Sequence, residues 1–177
     1  EEFVLVAHTC QGQEDYTLKS DNIRLVDLGM QTPAWHRHFF HARFLKSLRQ
    51  DLTEVDAFIV RSPSPLAPFF HKYIPEDILL RYYVVGSYAA GAEEMNPNSL
   101  RDWLIKQYLK RNHQLFLKEL KGKDIFVNSP QLQESLGNHC RSIQNIPSTT
   151  LTENNLTHRE DTCNGDTINL LFTGRID

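Results

Sequence analysis

What most constrains this chain is an alternation of two kinds of segment. Short apolar runs cover residues 55–60, 79–85 and 124–128, and between them lie longer stretches whose apolar residues recur every three or four positions. The short runs read as strands buried on both faces, and the longer stretches read as amphipathic helices. A strand, a helix and a second strand close onto one sheet by a right-handed crossover that leaves the strands parallel. The pattern therefore predicts an α/β fold, a Rossmann-like doubly wound parallel sheet with helices on both faces.

The punctuation fits that order. Residues 3–7 and 23–28 read as strands, the second stopped by Gly29, with a polar, turn-like stretch over 11–21 between them. Trp35, Phe39, Ala42, Leu45, Leu48 and Leu52 predict one helix over 34–51, with Arg37, Arg43, Lys46 and Arg49 on its outer face. Ser62, Ser64 and Pro65 predict a helix start running to residue 73, and residues 86–91 a small-residue loop. Ser99 predicts the cap of a helix over 100–120, with Gly122 beyond its end. Ser129-Pro130 opens another helix that Gly137 stops, and 141–146 returns to strand character before Pro147.

Composition narrows the function classes. A net charge of -3 and a pI near 6.3 argue against a dedicated nucleic-acid binder. No apolar run approaches the ~20 residues of a membrane-spanning helix, and the first residues carry no secretory signal. Three scattered cysteines, Cys10, Cys140 and Cys163, give neither a disulfide framework nor zinc spacing, so a reducing cytoplasm is the expected setting. His36, His38 and His41 read as solvated helix residues, and no metal site is expected.

The ends set a further expectation. The chain opens directly on a strand, and Ile168, Leu170, Leu171 and Phe172 form a second apolar run that leads into a Gly174-Arg175 turn. That run reads as the first strand of a new domain rather than the last of an old one. The expected organisation is a Rossmann-like domain over 1–148, a polar linker over 149–166 and the start of another domain over 167–177. Truncation is expected at both ends.

Four segments in order resemble the amino-terminal domain of GT-B glycosyltransferases of the group 1, retaining family four type. Val55-Asp56-Ala57-Phe58-Ile59-Val60-Arg61-Ser62-Pro63-Ser64-Pro65-Leu66-Ala67 is similar to the family's aspartate, apolar strand and small-residue turn into a helix. Asp124 to Leu132 resembles its strand ending in a capping serine, with Leu136-Gly137 at the usual helix end. Ile143 to Pro147 stands where the family crosses into its second domain, and Ile168 to Asp177 resembles that domain's first strand. The family's opening strand with its glycine-rich loop has no counterpart, and Gly86-Ser87-Tyr88 replaces its usual histidine turn.

The resemblance implies a hexosyl transfer, with retention of configuration, from a nucleotide diphosphate sugar to a saccharide or lipid-linked acceptor. The setting it implies is polysaccharide or glycolipid synthesis, in the cytoplasm or peripherally at the inner membrane face. It implies no cofactor beyond the donor substrate, and this chain by itself is expected to be inactive. Arg175 with Gly174 would bind the donor diphosphate, with a solvent-exposed turn arginine as the alternative. Gly86, Ser87, Tyr88, Ser62 and Ser64 would line the acceptor cleft, against simple helix capping or turn conformation. Two other readings stay open: a GT-B nucleotide-sugar epimerase and a non-catalytic Rossmann-like binding domain. A response-regulator-like or flavodoxin-like single domain is a third, in which Phe3 begins the first central strand and no second domain follows; direct pairing of the strands at 3–7 and 55–60 would count against truncation.

Overall fold

The computed structural model describes residues 3–9, 22–52 and 55–147. They belong to one compact unit, Glu1–Pro147. Residues 149–166 and 167–177, and with them Gly174 and Arg175, lie outside the described residues.

In chain order the elements are β1 (Phe3–Thr9), β2 (Ile23–Met30), α1 (Ala34–Phe39), α2 (His41–Leu45), α3 (Leu48–Asp51) and β3 (Ala57–Ser62). A 3₁₀ segment (Ala67–Lys72), β4 (Leu79–Val84), α4 (Tyr88–Glu94) and α5 (Leu100–Leu120) follow. The chain then forms β5 (Asp124–Val127), α6 (Pro130–Leu136), a 3₁₀ turn (Gly137–His139) and β6 (Ser142–Asn145). All the strand pairs are parallel: β1 with β2 in one sheet, and β3-β4-β5-β6 in sequence order in the other.

Sequence order in the larger sheet has a direct consequence for its cover. Each crossover from β3 to β6 steps the same way, so right-handed connections place their helices on one face. Register shows which face. Val60, Tyr82, Ile125 and Ile143 lie side by side, as do Ser62, Val84, Val127 and Asn145, and most of these are buried. Phe44, Leu45, Leu48 and Leu52 pack there with Phe116, Leu120 and Leu136 in one core, to which Val26 of β2 also belongs. Each such side chain removed from water contributes roughly 1.5–3 kcal/mol before entropy is counted. On the opposite face Ala57, Ile59 and Arg61 are exposed. The parallel α/β sheet is as expected; among the described residues its helices cover one face.

β1 and β3 are not hydrogen-bonded neighbours. Among the described residues β1 pairs with β2 and β3 with β4, and the two are not directly paired.

Three local expectations are corrected. The single helix over 34–51 is three short ones, because the chain leaves helical geometry at Phe40 and tightens to i→i+3 bonds at Arg43 and Gln50. Bulky aromatic residues crowd this stretch and turn toward a ring cluster instead of following one helical stripe. The helix expected from Pro65 to residue 73 is a 3₁₀ segment over Ala67–Lys72 rather than an α-helix. The loop expected over 86–91 is largely helix α4: Ser87 caps it, and its alanines are strong helix formers.

Helix α5 keeps its expected limits. Ser99 Oγ accepts a hydrogen bond from the Asp102 amide at 3.1 Å and donates one to the Asp102 carboxylate at 2.7 Å. Gly122, at φ 76°, takes the left-handed turn after its end. Its buried stripe is Asn112, Phe116, Glu119 and Leu120, so two polar residues sit where the spacing calls for apolar ones.

Candidate functional site

Parallel α/β sheets gather their ligand groups at the carboxyl ends of the strands. Here that edge is formed by Ser62 of β3, Val84 and Val85 at the end of β4, and Asn145 of β6. The ladder continues past the strand ends through Val85 N–H to Ser62 C=O (2.8 Å) and Ile146 N–H to Val127 C=O (2.7 Å). Ser62 precedes Pro63 through a cis peptide. Gly86 lies against the Pro63 ring, and a Cβ added there would stand 3.4 Å from Pro63 Cδ, a contact an alanine tolerates.

The five acceptor-cleft candidates separate into two groups. Ser87 Oγ accepts from the Ala89 amide at 3.1 Å and caps α4, while Ser64 Oγ accepts from the Leu66 amide at 3.3 Å in a local turn before the 3₁₀ segment. Ser62 is different: its hydroxyl is buried and has no hydrogen-bond partner. Tyr88 opens α4 beside Asn112, and burial, with Tyr108 close by, pushes its phenol up. Ser62, Gly86, Ser87 and Tyr88 thus cluster at the ends of β3 and β4, and Gly86, Ser87 and Tyr88 share with Pro63 a crevice of about 10 Å³. That space holds roughly one water molecule.

Four residues that the sequence reading did not assign to a site join them. Asn112 is fully buried, and neither amide atom makes a hydrogen bond of good geometry although His38 and Tyr88 stand close enough to feel it; His38 Nδ1, Arg37 Nε and His8 Nε2 are likewise buried without a well-formed bond. His8 Nδ1 engages the Gly29 carbonyl at 3.1 Å, which leaves Nε2 of the neutral ring as a bare acceptor. His38 is buried rather than solvated, and burial lowers its pKa despite the Asn112 amide and the Pro65 carbonyl beside it. His36 and His41 are half-buried, and the His41 ring stacks on Phe69 at 3.9 Å. Aromatic and helix packing, not solvation, explains this histidine cluster. Asn112 was legible in principle, since it interrupts the apolar stripe that Phe116 and Leu120 continue.

The amino-terminal edge of the sheet carries a larger cavity, about 410 Å³, lined in part by His71, Glu76, Asp77, Arg81, Lys123 and Arg141. Its polar chemistry is internally balanced. Glu119, buried beneath it, accepts from the Tyr82 hydroxyl at 2.8 Å and pairs with His71 and, at 3.5 Å, with Lys123. Burial, reinforced by Glu119, raises the Tyr82 phenol well above its usual range. Asp124 joins Arg141, Ser142 and, at 2.9 Å, Arg81, and these contacts, Arg141 first, hold its carboxyl well below the usual carboxylate range. Size favours this cavity as a site, but its cations are already engaged by Glu119 and Asp124. Unpaired buried groups favour the carboxyl edge, and buried polar atoms without partners are the rarer and more informative signal.

Among the described residues no group of three or more His, Cys, Asp or Glu is arranged to hold a metal ion. No described helix is long and apolar enough to cross a membrane. No known protein family, curated protein or solved structure matches this chain.

Proposed function

We propose that this chain is the acceptor-side domain of a GT-B glycosyltransferase that moves a hexosyl group, with retention, from a nucleotide diphosphate sugar to a saccharide or lipid-linked acceptor. The observation that carries the reading is the set of unpaired polar groups at the carboxyl edge: Ser62, Asn112, His38 and His8, with Tyr88 and Tyr108 beside them. They are neutral hydroxyl, amide, imidazole and phenol groups, with Arg37 as the cation among them. Neutral donors and acceptors set among aromatic rings suit a polyhydroxyl ligand better than a phosphate, which would call for several cations.

Further support comes from the order of the four motif segments and from the parallel sheet. The doubly wound form belongs to the same reading. In it, helices also cover the face that carries Ile59.

A sugar ring does not fit a crevice of about 10 Å³. The reading therefore requires α4, which closes the crevice with Ser87 and Tyr88, to move aside on binding. Donor diphosphate would be met by Gly174 and Arg175, and this domain would supply the acceptor geometry.

The test is turnover by the full-length polypeptide that carries this sequence, given a panel of uridine, guanosine and adenosine diphosphate hexoses labelled in the sugar. Release of nucleoside diphosphate with label passing to an added saccharide or glycolipid is the expected result, and an Asn112→Leu variant should raise the acceptor KM. A folded polypeptide that neither transfers nor hydrolyses any of them would leave a non-catalytic binding domain as the better reading. Conversion of the nucleotide sugar to its epimer would select the epimerase.

A further inference from the structure

We infer that the acceptor is an acidic saccharide, a uronic-acid sugar whose carboxylate is met by Arg37. This rests on the reading of the carboxyl edge as the acceptor site and adds to it the class of sugar. Apart from Arg37 the edge presents neutral groups: the Ser62 hydroxyl, the Asn112 amide, the His8 and His38 rings and the Tyr88 and Tyr108 phenols. Burial lowers the pKa of both histidines and raises both phenols, so all four are uncharged at neutral pH. Arg37 stands among them at full charge. Its guanidinium acts on His8 of β1, Tyr88 of α4 and Tyr108 of α5. Tyr108 is held against α1 one turn before Arg37, through its hydroxyl to the Ala34 carbonyl at 3.4 Å, and meets the His38 ring at 5.4 Å.

Arg37 is half-buried, its Nε is buried without a well-formed hydrogen bond, and among the described residues no carboxylate forms an ion pair with it. Asp27, whose charge reaches His8, accepts from the Gly29 amide at 2.8 Å, and Glu93 of α4 acts on His113. A buried guanidinium donor without an acceptor is costly, and it is retained where a ligand supplies one. The planar fork of an arginine matches a carboxylate through two parallel N–H···O bonds. One such cation among neutral groups answers one negative charge on an otherwise polyhydroxyl body. A phosphate ester carries about two charges and calls for a second cation, whereas Arg111, which acts on His38, is exposed to solvent. A neutral hexose offers hydroxyl groups but leaves the charge of Arg37 unanswered.

Calorimetry on the full chain tests this with the methyl glycosides of glucuronic and galacturonic acid, the methyl esters of those uronides, the methyl glycosides of glucose and galactose, and the two hexose 6-phosphates. The acids should bind at least about tenfold more tightly than the esters and the neutral glycosides. Arg37→Gln should erase that preference while changing the binding of the neutral glycosides by less than about twofold, and Arg111→Gln should keep it. The comparison of acid with ester needs no variant, so it decides the matter even where Arg37→Gln disturbs the fold. Equal binding of acids and esters would overturn the inference and leave the glycosyltransferase reading in place. Tighter binding of the 6-phosphates than of the uronides, or a preference that survives Arg37→Gln in a folded chain, would overturn it as well. A folded chain that binds none of these saccharides would remove the acceptor-site reading itself, and the inference with it.

Discussion

At the amino-terminal edge of the four-stranded sheet, Glu119 and Asp124 engage Tyr82, His71, Lys123, Arg81 and Arg141, so the polar groups there answer one another. At the carboxyl edge Ser62 and Asn145 end their strands with buried polar atoms unpaired, and Asn112, His38 and Arg37 do the same from the helices above. One sheet therefore carries a closed polar network at one end and an open set of donors and acceptors at the other. A closed network contributes to stability and has little left for a ligand. An open set lowers stability and is retained where a ligand completes it. Of the two, the larger cavity marks the structural end.

Breaking the amino edge should produce the largest effect. Glu119→Ala leaves the buried Tyr82 hydroxyl with only its 3.3 Å bond to the Ala67 carbonyl and opens a void, so we expect a loss of about 2–4 kcal/mol in urea unfolding, with saccharide binding unchanged. The opposite sign is expected at the other edge. Asn112→Leu replaces a buried amide that lacks a well-formed hydrogen bond by an apolar group of similar size, which should raise stability by about 1–2 kcal/mol in the same assay while weakening saccharide binding.

Acid should act through His38, which burial keeps neutral, with Arg111 and His41 nearby acting in the same direction. Its folded pKa lies below the unfolded 6.5, so the unfolded chain binds the extra proton in the window below that value. Stability should therefore be full above pH 6.5 and fall as the pH drops toward the folded pKa, by up to ~1.4 kcal/mol per pH unit for one proton. His38→Gln should flatten that slope in unfolding measured against pH, leaving what His8 and His113 contribute, since burial lowers both of these as well. The smallest change is Ser62→Ala, expected within about 0.5 kcal/mol of the parent because no hydrogen bond is lost, but with weaker saccharide binding by calorimetry.

Much of the fold was legible because it rests on local signals that tertiary context did not override. The limits of α5 follow from the Ser99 cap and Gly122, and β3, β4, β5 and β6 from short apolar runs. The helix over 34–51 was misjudged because ring packing of His38 and His41 against Phe69 is a long-range effect that spacing does not carry. Cover on both faces was expected from the alternation alone, whereas strand order decides it, and order is invisible in one sequence. The turns that hold Ser62, Gly86, Ser87 and Tyr88 were visible in the sequence, whereas the burial of Asn112 and His38 was not. A buried polar group acquires meaning only when its neighbours are known to leave it unpaired.

Assigned amide spectra of the chain, titrated with a panel of hexoses and disaccharides, test the central claim most directly. The expected result is a set of shift changes confined to residues around Ser62, Gly86, Ser87, Tyr88 and Asn112, lost in Asn112→Leu. Changes centred instead on His71, Arg81 and Lys123 would place ligand chemistry at the amino edge and contradict the account.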